Sequence, residues 1–367
     1  MRIHAGSVTP SHCCESIALS AQSPLLLVDA ARDAWRRRAI AVAPVLAGGL
    51  YPWLLQLAYA AVDRHETSDL SEKVARALVA GALMFAAPGA GLWLMSRLSR
   101  AGSMTLGELR LRSIATLVLA APPLFTLIGV EAWLSGIARF ENAIWLAIWL
   151  PLAAVALGTT AERVTPAPRR PQATSWRIAH GVGALLLLTG FIGLHLANHL
   201  GGLAGAETHL RVMHALRHWY RSTVVEPALL GLCLLQVVTG AVLARRWLAR
   251  AVDAARALQA ATGTYLGLYL VCHLNSVFVY ARANGTDTDF WFASGGRAGL
   301  LGDAWDVRLV PHYALAVLFL FVHLGAGLRV VLLAHGRKTG WLMPAAWSVG
   351  AAVSLGAVLP LLRIHAS

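Results

Sequence analysis

The sequence predicts an all-α fold, a polytopic integral membrane bundle of about nine transmembrane helices with the N-terminus inside and the C-terminus outside. Three observations predict it. Of 367 residues, 57% are hydrophobic and only 13% charged, and the mean hydropathy is +0.61, so the charge that keeps a soluble domain dissolved is largely missing. The apolar residues gather in runs of about twenty, the length that crosses a hydrocarbon core of about 30 Å at about 1.5 Å per residue. Arginine clusters alternate between those runs, as the cytoplasmic loops of membrane proteins do. Backbone groups inside hydrocarbon must pair within their own segment, so each run is expected to be a helix.

Residues 1–30 read as a flexible tail, because the apolar stretch from Leu25 to Val28 is too short for a signal peptide. Apolar runs between charged punctuation then place spans at 39–62, 75–97, 111–134 and 140–161, with Pro122-Pro123 breaking the third. Together they form a four-helix region, 31–164, of unassigned role. A Pro/Arg linker follows at 165–175, with Pro166, Pro168, Arg169, Arg170 and Pro171. The second region, 176–367, holds spans at 177–199, 226–246, 257–281, 312–335 and 341–362. Between its first two spans, His209, Leu210, Met213, Leu216 and Tyr220 recur at helical spacing with arginines between them, which predicts an amphipathic helix along the interface. The Gly- and Asp-rich stretch 282–311, with Phe290, Trp291, Phe292 and Trp305, is expected to cap the bundle at headgroup level.

Orientation follows from the arginines. One side receives Arg32 and Arg36 to Arg38; Arg97, Arg100, Arg110 and Arg112; Arg163, Arg169, Arg170 and Arg177; Arg245, Arg246, Arg250 and Arg256; then Arg337 and Lys338. The opposite side is poorer, and its first loop carries Asp63, Glu66, Asp69 and Glu72. A multi-pass protein of a bacterial inner (plasma) membrane is the expected location. The charge of +13 does not indicate nucleic acid, since the arginines sit in loop clusters rather than along one stripe. Cys13, Cys14, Cys233 and Cys272 have no zinc or iron–sulfur spacing, and the last two read as small core residues.

Of fourteen histidines, His195, His273 and His323 fall well inside spans. An intramembrane imidazole faces the bundle interior, where it pairs with another helix, relays protons or binds a metal. Height favours the last. His195 lies about 27 Å along the fifth span and His273 about 24 Å along the seventh, both toward the outer leaflet, as two axial ligands of one b-type haem iron require. His199, one turn beyond His195, is an alternative ligand or an ordinary interfacial histidine. The height of His323 in the eighth span matches Gln236 in the sixth, and an amide is a poor iron ligand, so His323 marks a second site that lacks its partner. One haem b per chain is the expectation. Gly263 and Gly267 form a GxxxG that permits close approach of a helix or a cofactor.

These residues resemble the cytochrome b membrane-anchor subunits of succinate dehydrogenase and fumarate reductase. Arg177-Ile-Ala-His180-Gly181 looks like that family's first-helix entry and Leu194-His195-Leu-Ala-Asn198-His199 like its outer haem-ligand end; Glu226-Pro227, His273 and His323 follow in the family's order. The resemblance covers about 176–363. It implies a haem between the first and third helices of that region, on His195 and His273, and a second between the second and fourth, where Gln236 departs from the pattern. It further implies electron exchange with a membrane quinone and a flavoprotein or iron–sulfur partner subunit. Trp176, Arg177 and His180 are the candidate quinone contacts, with an interfacial Trp/Arg anchor as the plainer reading. The run Trp219-Tyr220-Arg221 through Glu226-Pro227, followed by Gln236-Val-Val-Thr-Gly240, is also similar to a fungal mitochondrial membrane family linked to lipid homeostasis. That similarity keeps a non-redox membrane scaffold open, and a metal transporter using His195, His199 and His273 is a third reading. The chain carries no self-contained catalytic motif, no dinucleotide fingerprint and no phosphate loop.

Overall fold

Apolar runs become helices because each must satisfy its own backbone, and the computed structural model is helical throughout, without a β-strand among the described residues. Those residues are 24–63, 69–98, 104–158, 174–250 and 252–362. The tail before residue 24, most of the Pro/Arg linker, Arg100 and Arg163 lie outside them.

The first region contains α1 (Pro24–Gly49), α2 (Tyr51–Asp63), α3 (Leu70–Leu98), α4 (Leu106–Leu119), α5 (Ala121–Leu134) and α6 (Glu141–Leu157). Residues 24–39 form a unit of their own at the start of α1, and the rest belongs with the main body. Seven helices are long and apolar enough to cross a membrane, or nine if two bent pairs each count as one span. Both pairs, α1–α2 and α4–α5, bend by 62°. The second bend is where the sequence places it, with Pro122-Pro123 in the first turn of α5. The first is a departure from the single helix expected at 39–62. It falls between Gly49 and Tyr51, just before Pro52, and Trp145 donates its indole N–H to the freed carbonyls of Gly48 and Gly49, both at 3.1 Å. A Cβ on Gly48 would meet the Trp149 ring.

The second region contains α7 (Thr174–Leu187), a π-turn (Leu188–Ile192), α8 (Gly193–Gly201), α9 (Ala206–Tyr220), α10 (Val225–Leu248), α11 (Ala254–Leu274), a second π-turn (Asn275–Tyr280), the short α12 (Ala281–Ala283) and α13 (Phe290–Ala293), then α14 (Leu309–Ala334) and α15 (Leu342–Leu362). The expected amphipathic helix is α9, and the expected cap is the Gly-rich stretch around α13. One core gathers Tyr51, Phe125, Trp145 and Trp149 in the first region; a second joins Leu94 and Leu119 to Ala261, Tyr265 and Phe319 across both regions. Cys233 and Cys272 are free and buried.

Two buried arginines tie the regions together. Arg112, at 0% exposure, donates to the carbonyls of Trp247 (3.1 Å), Leu248 (2.9 Å) and Arg250, closing the C-terminal end of α10. Arg308, just before α14, pairs with Glu141 at the start of α6 and lies over the rings of Phe125 and Trp305. The backbone of α7 packs on α10, that of α10 on α11, and that of α11 on α14. Only 11% of the apolar stretches through α7–α8 and through α10 is buried, against 39% for α3. These helices are loosely enclosed, and the histidines of α7 and α8 face those of α14 and α11.

Candidate functional site

His195 and His199 stand one turn apart on α8, and α11 brings His273 to the same level. The His195 and His273 ring centres are 6.1 Å apart, with their planes at 63°. An imidazole nitrogen lies about 1.1 Å from its ring centre and binds a transition metal at about 2 Å, so two rings on one metal stand about 6 Å apart. Phe191 stacks on His195 at 5.0 Å and Tyr269 on His273 at 5.5 Å. Neither imidazole has a hydrogen-bond partner among the described residues. Each also adjoins a π-turn: the first ends three residues before His195 and the second begins two after His273.

Unsatisfied polar groups collect around this pair. Asn198 Nδ2 donates to His209 Nε2 at 3.2 Å, leaving Asn198 Oδ1 and His209 Nδ1 without partners. Tyr220 Oη, Asn275 Nδ2 and His312 Nδ1 are likewise buried and unpaired. The Tyr220 ring is 4.6 Å from Phe191, the His312 ring 4.6 Å from Tyr269, and His199 lies 4.8 Å from His195 and 5.1 Å from His209. On α9, outside the spans, burial lowers the His209 pKa, with the Asp289 carboxylate opposing, so this imidazole is neutral at pH 7. Orphaned buried polar groups are expensive, and so many around two bare imidazoles fit a bound group with a polar edge of its own. The donor set suits a macrocycle that supplies four equatorial nitrogens and lacks two axial ones. A bare ion wants three or more side chains, and among the described residues no three His, Cys, Asp or Glu converge on one point.

A second pair lies nearer the other end of the bundle. The His180 and His323 ring centres are 6.2 Å apart at 80°. The sequence set Gln236 level with His323, but Gln236 Nε2 donates to the His180 carbonyl at 2.9 Å, and the ring facing His323 is that of His180. Glycines make the room: a Cβ on Gly263 would come within 2.8 Å of His323 Cε1, and one on Gly240 within 3.4 Å of His180 Cε1.

No known family, curated protein or solved structure matches this chain. The site therefore has to be judged on its own geometry. Trp176 and Arg177 are exposed at the start of α7 while His180 turns into the bundle, so the three candidate quinone contacts do not converge. His209 and Tyr269 were not singled out by the sequence as parts of a site; Asn198 entered only within the motif ending at His199, and His312 only as a substitute ligand for the second site. His209 carried a signal, an imidazole on the interfacial helix, whereas His312 lies at the start of its span, where histidines are commonplace. A cavity of about 240 Å³ lies away from the histidines, around Gln56, Phe125, Asn142 and the Arg308–Glu141 pair.

Proposed function

We propose that this chain is a membrane-embedded b-type cytochrome that carries single electrons between a quinone in the bilayer and a partner subunit, with one haem held between His195 and His273. The observation that carries the reading is the spacing of those two imidazoles, 6.1 Å, with no hydrogen-bond partner for either among the described residues. A haem there would supply one-electron redox chemistry. The protein's part is to hold both imidazoles and to shield the site with Phe191 and Tyr269. His199, Asn198 and His209 would meet the carboxylate edge of the macrocycle where α8 reaches the interface. We further propose a bacterial plasma membrane as the location and a flavoprotein or iron–sulfur protein as the partner, since the chain has no motif for either cofactor. A scaffold with purely helix-bridging histidines fits less well, because these two make no hydrogen bond among the described residues.

The test is an optical spectrum of detergent-purified protein, oxidised and then reduced with dithionite. A low-spin b-type spectrum is expected, and His195→Ala and His273→Ala are each expected to remove the haem of this site, since hydrocarbon offers few replacement donors. His199 is the obvious substitute for His195, so the double substitution His195→Ala/His199→Ala guards against rescue. A Soret band unchanged in His273→Ala would sink the assignment.

A further inference from the structure

We infer a second haem site, between His180 on α7 and His323 on α14, toward the opposite end of the bundle from the first. It is not the pairing expected from the sequence resemblance, which joins the second and fourth helices of the region; here the first and fourth meet, and Gln236 on the second is engaged elsewhere.

Protons identify the ligating atoms. Thr239 has one hydroxyl hydrogen and donates it to the Leu235 carbonyl at 2.5 Å, so at 2.9 Å from His180 Nδ1 its oxygen accepts. His323 Nδ1 is 3.0 Å from the Gln259 carbonyl, which can only accept, and the nearby Thr262 hydroxyl donates to Leu258 at 2.9 Å. Both rings thus carry their proton on Nδ1, which leaves both Nε2 lone pairs bare. Neither Nε2 has a hydrogen-bond partner among the described residues. Metal-bound histidines are held this way, one nitrogen fixed by a protein acceptor and the other turned to the metal. The ring separation of 6.2 Å matches the outer pair within 0.1 Å.

Space is present as well. Gly267 lies one turn from Gly263 on the same face of α11, yet a Cβ placed on it would meet nothing within 4 Å. Two side-chain donors would suffice for a metal that brings four equatorial nitrogens, as proposed for the outer pair. The two sites are about 15–22 Å apart along the axis, counting 15 residues from His180 to His195 and 10 from Gly263, opposite His323, to His273. Together they span much of a hydrocarbon core of about 30 Å, so the chain would carry electrons through the membrane rather than along one face.

Haem per chain, measured as pyridine haemochromogen on the purified full-length protein, tests this separately from the outer site. Two haems are expected in the unaltered protein and one in each of His323→Ala, His180→Ala and His195→Ala, with different α-bands surviving in His323→Ala and His195→Ala. Thr239→Val keeps both ligands and removes only the Nδ1 acceptor; it should weaken haem retention at the inner site by about 10- to 100-fold, read as transfer to apomyoglobin, while the outer haem stays. One haem per chain that survives His180→Ala and His323→Ala but not His195→Ala would overturn the inner site and leave the outer one standing. The reverse pattern would support the inner site and overturn the outer. Copper in place of haem, or no haem at all, would overturn this inference.

Discussion

Gly263 and Gly267 look alike in the sequence, two small residues a turn apart on an apolar helix, but they meet different surroundings. A Cβ at Gly263 would sit 2.8 Å from His323 Cε1, whereas at Gly267 it would touch nothing. Gly263→Leu should therefore displace the His323 ring and lower haem occupancy at the inner site, with the outer haem unaffected. Gly267→Ala puts only a methyl group into the space left beside the inner pair and moves no histidine, so it should lower inner-site occupancy less than Gly263→Leu does. Equal haem loss in the two variants would show that the histidine contact does not distinguish them. The sequence offered GxxxG as a site of close approach without saying what approaches, because a glycine pair records only the absence of side chains. The outer pair was more legible: the rise of a helix is fixed, so the heights of His195 and His273 could be compared without knowing their neighbours.

At the scale of elements, what the sequence concealed is the π-turn. Leu188–Ile192 has no proline and only Gly190 as a mark of irregularity, yet an extra residue in the turn rotates all that follows by about 100°. Level alone does not fix which way a side chain faces: Gln236 matched His323 in level, but the ring that faces His323 is that of His180. Deleting Gly190, in the middle of this turn, should return the span to a regular α-helix. Either α7 or α8 must then rotate, so His180 or His195 leaves its partner, and haem per chain should fall by one while the protein still inserts. Unchanged stoichiometry would mean that the turn does not set the facing of these histidines. The bend at Pro122-Pro123 was readable because proline carries its effect in its covalent structure; the bend at Gly49–Tyr51 was less so, because it depends on Trp145 arriving from α6 to satisfy the freed carbonyls.

For the whole molecule, the topology turns on whether the bent pairs cross the membrane, and buried side chains bear on it for α4–α5. Arg112, in the second turn of α4, holds the carbonyls at the end of α10, next to where α11 begins. Glu141, which follows α5 across a short turn, holds Arg308 at the start of α14, reached from the far end of α11 through the cap. Because α11 with its π-turn is long enough to span, those two contacts lie at opposite ends of the bundle. The α4–α5 pair runs from one to the other, the path that a kinked span would take. Re-entry would leave both of its ends on one side, and the arginines of 97–112 would then share a face with the loop at 135–140. Crossing would keep the arginine alternation and put the Arg97–Arg112 and Arg245–Arg250 clusters together at one end, the one expected to be cytoplasmic. A reporter fused after Arg170 should accordingly be cytoplasmic, and one inserted within 286–304 external. A single cysteine at Gly136, introduced after replacing the four native ones, should react with a membrane-impermeant maleimide from outside, and one at Ser103 should not. Protection at 136 together with labelling at 103 would reverse the orientation, and labelling of both from the same side would make α4–α5 re-entrant and leave the Arg112 and Glu141 contacts unexplained.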